Sequence, residues 1–413
     1  MNKSKSTESI KPGWSRVKFG DVVQLSKARC ADPLAEGVER YVGLEHLEPG
    51  DLRIHNWGNV ADGVTFTSVF QPGQVLFGKR RAYQRKVAVA DFSGVCSGDI
   101  YVMESKDESV LLPELLPFIC QTDAFFEHAV GTSAGSLSPR TNWTSLADFS
   151  FELPSIDDQV KLIELLLVAL KSADAYKDAV KVAQRMLRSS LVSIFALDGH
   201  SPATSEISQA ALRPGWKLVP ASELCVAPIT KGATPPGGTG SIDTGIPFLK
   251  VYNLTFDGKL DFTINPTFIS EEAHSGELRR SQIAAGDVLM NIVGPPLGKV
   301  SIVPSGFPSA NINQAIARFR LQENSASTFM AAYLLSDWAQ RWLSARSKKT
   351  SGQKNLTLEL CQTLPVPFPP DDCLSTVISS IDAAFESVRI VEARRLQADS
   401  VYKAIIKKVL GNV

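Results

Sequence analysis

No stretch of the chain approaches the ~18 uninterrupted apolar residues that a membrane-spanning helix needs, so the sequence reads as that of a cytoplasmic protein with no membrane partner. The opening MNKSKSTESIK lacks the apolar core of a signal peptide and reads as a polar, disordered tail over residues 1–11. The six cysteines include no Cys-x-x-Cys pair, which points to reduced thiols. Five histidines are scattered without metal-ligand spacing, so no metal site is expected. GPPLGKV is one residue short of a phosphate loop and lacks its Ser/Thr, and no Asn-Pro-Pro-aromatic run marks an amino-methyltransferase. Lys and Arg number 43, as do Asp and Glu, so bulk charge announces no nucleic-acid partner and any basic surface must be local.

What is present is a sequence that begins twice. PGWSRVKFGDVVQL (Pro12–Leu25) returns as PGWKLVPASELCVA (Pro214–Ala227), and four further pairs follow in the same order. RYVGLEHLEPGDL is echoed by PFLKVYNLTFDGKL, and FQPGQVLFGKRR by IAAGDVLMNIVG. KVAVADFSGVCSGDIYVM, read as a hairpin and a further strand, matches KVSIVPSGFPSANINQAIARF. TSAGSLSPRTNWTSLADFSFELP matches TSGQKNLTLELCQTLPVPFPP, each a polar loop, a short strand and a proline stop. At 413 residues the chain suits at least two domains. The reading is an α+β fold of two tandem homologous α/β domains, residues 12–154 and 214–370, with the extra length of the second copy assigned to the loop TKGATPPGGTGSIDTG.

Each proline stop is followed by a long stretch free of Gly and Pro, Ser155–Asp198 and Asp371–Leu410, and helices are predicted over residues 155–198 and 371–413, joined through a linker at 199–213. About forty residues make a rod of ~60 Å. The second stretch keeps a seven-residue beat: Leu374, Ile381, Val388, Arg395, Tyr402 and Val409 in one column, Val377, Ala384, Val391, Ala398 and Ile405 in the next. The first offers Val160, Ile163, Leu167 and Leu170, then a shift to Ala173, Val180, Leu187 and Ile194, beside Lys177, Gln184 and Leu191. Such seams predict an antiparallel coiled coil with pseudo-two-fold symmetry. The alternative is two amphipathic helices, each packed on its own domain.

Candidate chemistry lies at matching places in the two copies. GKRRAYQRK gathers Lys79, Arg80, Arg81, Arg85 and Lys86 around Tyr83, with no acid in the run. If extended, alternate residues share a face and present a basic strip to phosphates or guanine edges. The loop before the last strand adds Ser133, Ser136, Arg140 and Asn142. In the second copy the matching strand is less basic, keeping Lys299, but the half supplies the amides Asn253, Asn291, Asn311, Asn313 and Gln314, suited to adenine edges. Its closing loop carries Arg346, Lys348, Lys349, Gln353, Lys354 and Asn355. A solvated charge run and turn-forming amides are the plainer readings of these residues. Asp99, Glu104 and Lys106 follow the order of a nuclease's metal-binding carboxylates, an order that a strand and its turn produce easily.

Two Pro-Gly-Trp domains, each closing in TSAGSLSPR…FELP or TSGQKNL…LPVPFPP and followed by a long helix, resemble the specificity subunit of type I restriction-modification enzymes across nearly the whole chain. The segment LFGKRRAYQRKVAVADFSGVCS is similar to one version of that family's target recognition domain. The resemblance implies that each domain reads one half of a bipartite, asymmetric target in double-stranded DNA, and that the helices set the gap. It further implies no catalysis by the chain itself. The partners it implies are two modification subunits, which bind S-adenosylmethionine and methylate adenine, and through them restriction subunits. The chain's own cofactor is none. PSIDDQ and PPDDC depart from the Glu-Gln that often follows the closing proline. The rival reading is a structural adaptor with two protein-binding domains on a coiled-coil spacer.

Overall fold

The computed structural model describes residues 11–195, 206–209, 212–235, 243–321, 324–350 and 353–411. The polar tail up to residue 10, most of the linker at 199–213 and the centre of the loop at 230–245 lie outside them. Among the described residues no helix is long and apolar enough to cross a membrane. The chain divides into two compact units, Met1–Tyr176 with Arg394–Val413, and Lys177–Ala393.

The first unit is built from short strands. Its Pro-Gly-Trp is a tight turn, with Gly13 at φ +81° and the Trp14 N–H donating to the Lys11 carbonyl at 3.0 Å. The turn feeds Ser15–Lys18 into antiparallel pairing with Ser150–Leu153, so the start and end of the domain close on each other. One four-stranded sheet runs in the order Val23–Leu25, Ile100–Ser105, Val75–Gly78, Val87–Val89, and a second in the order Gly58–Asn59, Arg40–Val42, Gly94–Cys96, Ser68–Phe70. The Arg40–Val42 and Gly94–Cys96 pair is parallel. Phe19, Phe77, Phe125 and Phe151 are fully buried in the main core.

The second unit repeats this plan. Gly215 (φ +84°) and the Trp216 N–H to the Arg213 carbonyl (3.0 Å) remake the turn. Lys217–Pro220 pairs with Pro365–Phe368. The sheets run Thr230–Lys231, Ile316–Phe319, Val288–Asn291, Val300–Ile302, and Phe268–Ile269, Ile246–Leu249, Ala310–Ile312, Gln282–Ile283, again with the second and third strands of the latter parallel. The matched registers set Ser15 against Lys217, Tyr41 against Phe248, Val69 against Gln282 and Val95 against Asn311. The spacing between partners therefore grows from one connection to the next, rather than in the loop at 230–245 alone.

The expected hairpin falls elsewhere in the chain. Val87–Val89 pairs back onto Val75–Gly78, while Gly94–Cys96 joins the other sheet. The same holds for Val300–Ile302 and Ala310–Ile312. The basic run 79–86 is thus a hairpin tip and not an extended strip. It turns through a 3-10 segment, Ala82–Gln84, flanked by Arg81 and Arg85, both at φ 55°.

The long helices are Ile156–Phe195 and Asp371–Leu410. Ser155 and the first-turn carboxylates Asp157 and Asp158 open the first, with the Ser155 hydroxyl accepting the Asp158 N–H at 3.3 Å. Buried Gln159 ties that start to the domain, donating to the Val110 and Pro154 carbonyls and accepting the Leu112 N–H. Each helix serves both units, in opposite order. In the first unit, Ile163, Leu166 and Ala173 share the core with Tyr402, Ile406 and Leu410. In the second, Ala183, Leu187, Leu191 and Phe195 share it with Ile381, Phe385 and Val388. One seam position needs correction: Val160 is 46% exposed. Leu167 packs half-buried against the core beside wholly buried Leu166. The beat that runs on without a shift is Ile163, Leu166, Leu170, Ala173, Val180, Leu187, Leu191 and Ile194, with Leu170 and Ile194 half-buried. On the second helix Ile381 and Val388 are buried, with Leu374, Val377, Val391 and Ile405 half-buried on the same face.

Candidate nucleic-acid interface

Folding brings the two candidate clusters of the first unit together. The hairpin tip and the loop before the last strand close through the Arg81 N–H to the Pro139 carbonyl (2.7 Å), the Thr141 N–H to the Lys79 carbonyl (3.0 Å) and a bridge between Arg80 and Arg140. It also supplies the acids that the basic run lacks. Asp99, at the start of Ile100–Ser105, accepts Arg140 Nε at 2.7 Å and Nη2 at 3.4 Å, and pairs with Arg80 Nη1 at 3.2 Å. Burial opposes the charge on Asp99, but the hydrogen bonds and charges of Arg140 and Arg80 prevail and hold its pKa below the ordinary aspartate value. Arg80 Nη2 and Arg81 Nη2 both donate to the Ser138 hydroxyl, at 3.0 and 3.3 Å. The Nε groups of Arg80 and Arg81 are buried with no hydrogen-bond partner among the described residues.

The remaining tip cations hold the structure. Arg85 pairs with Asp123 at 2.7 Å, donates to the Gln121 carbonyl at 3.0 Å and lies 4.6 Å from the Phe126 ring centroid. Lys86 donates to the Leu44 carbonyl at 2.6 Å, and Lys79 sits 4.6 Å over Tyr101. Tyr83 and Ser136 stand exposed. Ser133 bonds the Ala129 carbonyl, and Asn142 caps the helix Trp143–Ala147. Two left-handed arginines and two unpaired buried donors concentrate strain at one tip, the pattern that points from an outlier to function.

In the second unit the same closure forms with other side chains. Val293–Gly294 pairs with Gln353–Asn355, which pairs with Lys348–Thr350, and the Leu356 N–H reaches the Ile292 carbonyl at 2.8 Å as Thr141 reaches Lys79. Gly294 and Gly298 stand where the first unit has Arg81 and Arg85. Gly298, at φ +94°, lies so close to Gln340 that a Cβ would meet its Oε1 at 2.1 Å. Lys299 repeats the role of Lys86, donating to the Val251 carbonyl at 3.3 Å.

The amides predicted to read bases do not line this surface. Asn253, Asn291 and Asn311 are wholly buried. Asn253 donates to the Asp261 and Ile264 carbonyls and accepts the Lys250 N–H, as His46 accepts the Gly43 N–H in the first unit. Asn291 donates to the Val293 and Pro296 carbonyls and accepts the Lys299 N–H. Asn311 donates to Leu278 and Ser281 and meets His274 Nδ1 at 2.5 Å. These amides are spent on loop backbone that no strand partner satisfies. Asn313 is half-buried and accepts the Ala315 N–H, while exposed Gln314 bonds Thr234. Arg346 pairs with Glu206 at 2.7 Å and stacks 4.4 Å over Trp342. Lys354 donates to Ser344, Lys348 is exposed, and the side chains of Lys349 and Gln353 lie outside the described residues.

The nuclease-like order dissolves. Asp99 is held by two arginines, Glu104 accepts Gln24 and Gln74, and Lys106 reaches the Gly20 carbonyl. Among the described residues one group of potential metal ligands converges, Glu48, Asp51 and His55, where the sequence suggested none. Its Asp51 already accepts the Arg53 N–H and pairs with His55. Sequence reasoning missed Asp99 and Ser138 as parts of the interface. No local signal marks them, because their arginines lie tens of residues away.

In fold, two like-built sheet units with two long helices are similar to solved structures from type I restriction-modification systems, in line with the resemblance in the sequence. Among solved structures, a chain from work on complex assembly and conformational transition of the type I R-M system has a TM-score of 0.56 at 19% identity, covering 98% of this chain and 100% of that one. The S subunit of the type I system of M. genitalium has a TM-score of 0.53 at 12% identity, with 98% of each chain covered. In sequence, the specificity subunit of the type I restriction enzyme EcoDI from Escherichia coli is 27% identical over 197 residues, 47% of this chain and 43% of that one. The match thus spans less than half the length of that relative. No family model matches the chain.

Proposed function

We propose that the chain is the DNA-recognition subunit of a type I restriction-modification complex, each unit reading one half of an asymmetric bipartite target. The observation that carries this is one scaffold bearing two different tips: Arg81–Ala–Tyr–Gln–Arg85 closes the hairpin in one unit, Gly294–Pro–Pro–Leu–Gly298 in the other. A conserved backbone with divergent tips suits two different half-sites, whereas a homodimer is confined to palindromes. The long helices act as the spacer and dock two modification subunits, which bring S-adenosylmethionine chemistry and couple to restriction subunits. The chain itself is cytoplasmic and contributes recognition without catalysis.

Arg81→Glu tests this against the adaptor reading. The residue is half-exposed and, among the described residues, its side chain bonds only Ser138. Its reversal weakens duplex binding and lowers the salt slope by about one to two contacts. An adaptor for proteins loses nothing. Binding by the isolated chain is weak and salt-sensitive and tightens once modification subunits join. Tight sequence-specific binding by the purified chain alone contradicts this arrangement.

A further inference from the structure

The arginines of the first tip are not equivalent, and Asp99 is what separates them. Arg140 presents its Nε–Nη2 edge to the Asp99 carboxylate, at 2.7 and 3.4 Å, while its side chain remains 50% exposed. No other side-chain hydrogen bond holds it among the described residues. Its Nη1–Nη2 edge is therefore left to solvent, on a guanidinium whose rotation is fixed by the carboxylate behind it. Arg80, by contrast, divides its two Nη groups between Asp99 and Ser138 and is consumed by the clasp.

The clasp is not what closes the loop. In the second unit the Ile292 N–H reaches the Ala315 carbonyl at 2.8 Å, as the Lys79 N–H reaches Asp99 at 2.9 Å. Val293 pairs with Asn355 as Arg80 does with Arg140. There Val293, Ala315 and Asn355 stand where the first unit has Arg80, Asp99 and Arg140, and the same backbone forms without that Arg–Asp–Arg set. The three charges serve something other than the fold.

We infer that Arg140 is a guanine-reading residue of the first unit, aimed by Asp99 so that its outer edge meets O6 and N7 of one guanine in the major groove. This rests on the DNA-recognition reading above. An arginine locked by a carboxylate is pre-organised for bidentate contact, whereas one free to rotate grips any phosphate equally well. Asp99 is then a positioning residue, and its charge also repels the backbone phosphates that would otherwise capture the two arginines.

The two roles predict opposite effects from one substitution. The full chain, with any subunit that copurifies, is bound to a duplex library with randomised positions, and its affinity for an unrelated duplex is measured across a salt series. Arg140→Ala loses preference for a single guanine in one half-site, by roughly 10- to 100-fold, and leaves the other half-site intact. Asp99→Asn loses discrimination at that same guanine, yet binds the unrelated duplex more tightly and with a salt slope steeper by about one. Asp99→Glu restores part of the discrimination. A purely structural Asp99 would instead lower the melting temperature and weaken both kinds of binding together. The inference is overturned if Arg140→Ala weakens all sequences uniformly, or if Asp99→Asn leaves the guanine preference untouched. A wild-type chain that enriches no sequence at all removes the DNA-recognition reading itself, and this assignment with it.

Discussion

A buried amide and a base-reading amide carry the same letter in a sequence. Asn291 illustrates why the two were confused: it sits at the end of an apolar strand, next to a glycine turn, where a reading residue would also stand. Its two donors and its carbonyl instead hold the turn through three hydrogen bonds, with no exposure. Asn291→Ala leaves buried backbone groups without partners and destabilises the second unit by about 2–4 kcal/mol, measured by denaturant unfolding. DNA discrimination by the first unit is unchanged in that variant. The candidate site of the first unit was half legible. Arg80, Arg81 and Arg140 stood out by charge, but their different bonding depends on Asp99, which only tertiary structure brings among them.

At the scale of elements, the two long helices were legible to within a few residues, because Gly and Pro are absent and the apolar beat persists. The register of the first was harder. Leu165, Leu166 and Leu167 are consecutive, and a run of three leucines gives pattern reasoning no way to choose among faces. The structure chooses Leu166, packed within the core that holds Tyr402 and Ile406. Leu166→Ala costs about 2–5 kcal/mol of first-unit stability, and Leu167→Ala clearly less, by thermal or chemical denaturation of the full chain. Equal costs would restore the shifted register. The hairpin was misplaced for a related reason. The basic run reads as an extended strip, and the left-handed backbone at Arg81 and Arg85 that makes it a tip has no signature in residue type, although the second unit puts glycine at both matching positions.

For the whole molecule, the duplication was fully legible from order alone, while the way the helices are shared was not. Sequence suggests a domain followed by its helix, twice. The compact units instead cut through both helices, so that the first unit is completed by Arg394–Val413. Tyr402 packs at 6.5 Å from Phe118 and donates to Gln121 at 2.8 Å, and Leu410 is wholly buried in the same core. A chain ending at Ala393 therefore melts its first unit at markedly lower temperature while the second keeps its transition, which two-step calorimetry or limited proteolysis resolves.

That sharing has a consequence for how the protein is made. A ribosome emits the first sheet unit early, but the segment that seals it, around Tyr402, Ile406 and Leu410, emerges only after the other unit has been synthesised. Maturation of the first unit must wait for a segment made after the whole of the second, so a chain cut between the two leaves that first core unsealed.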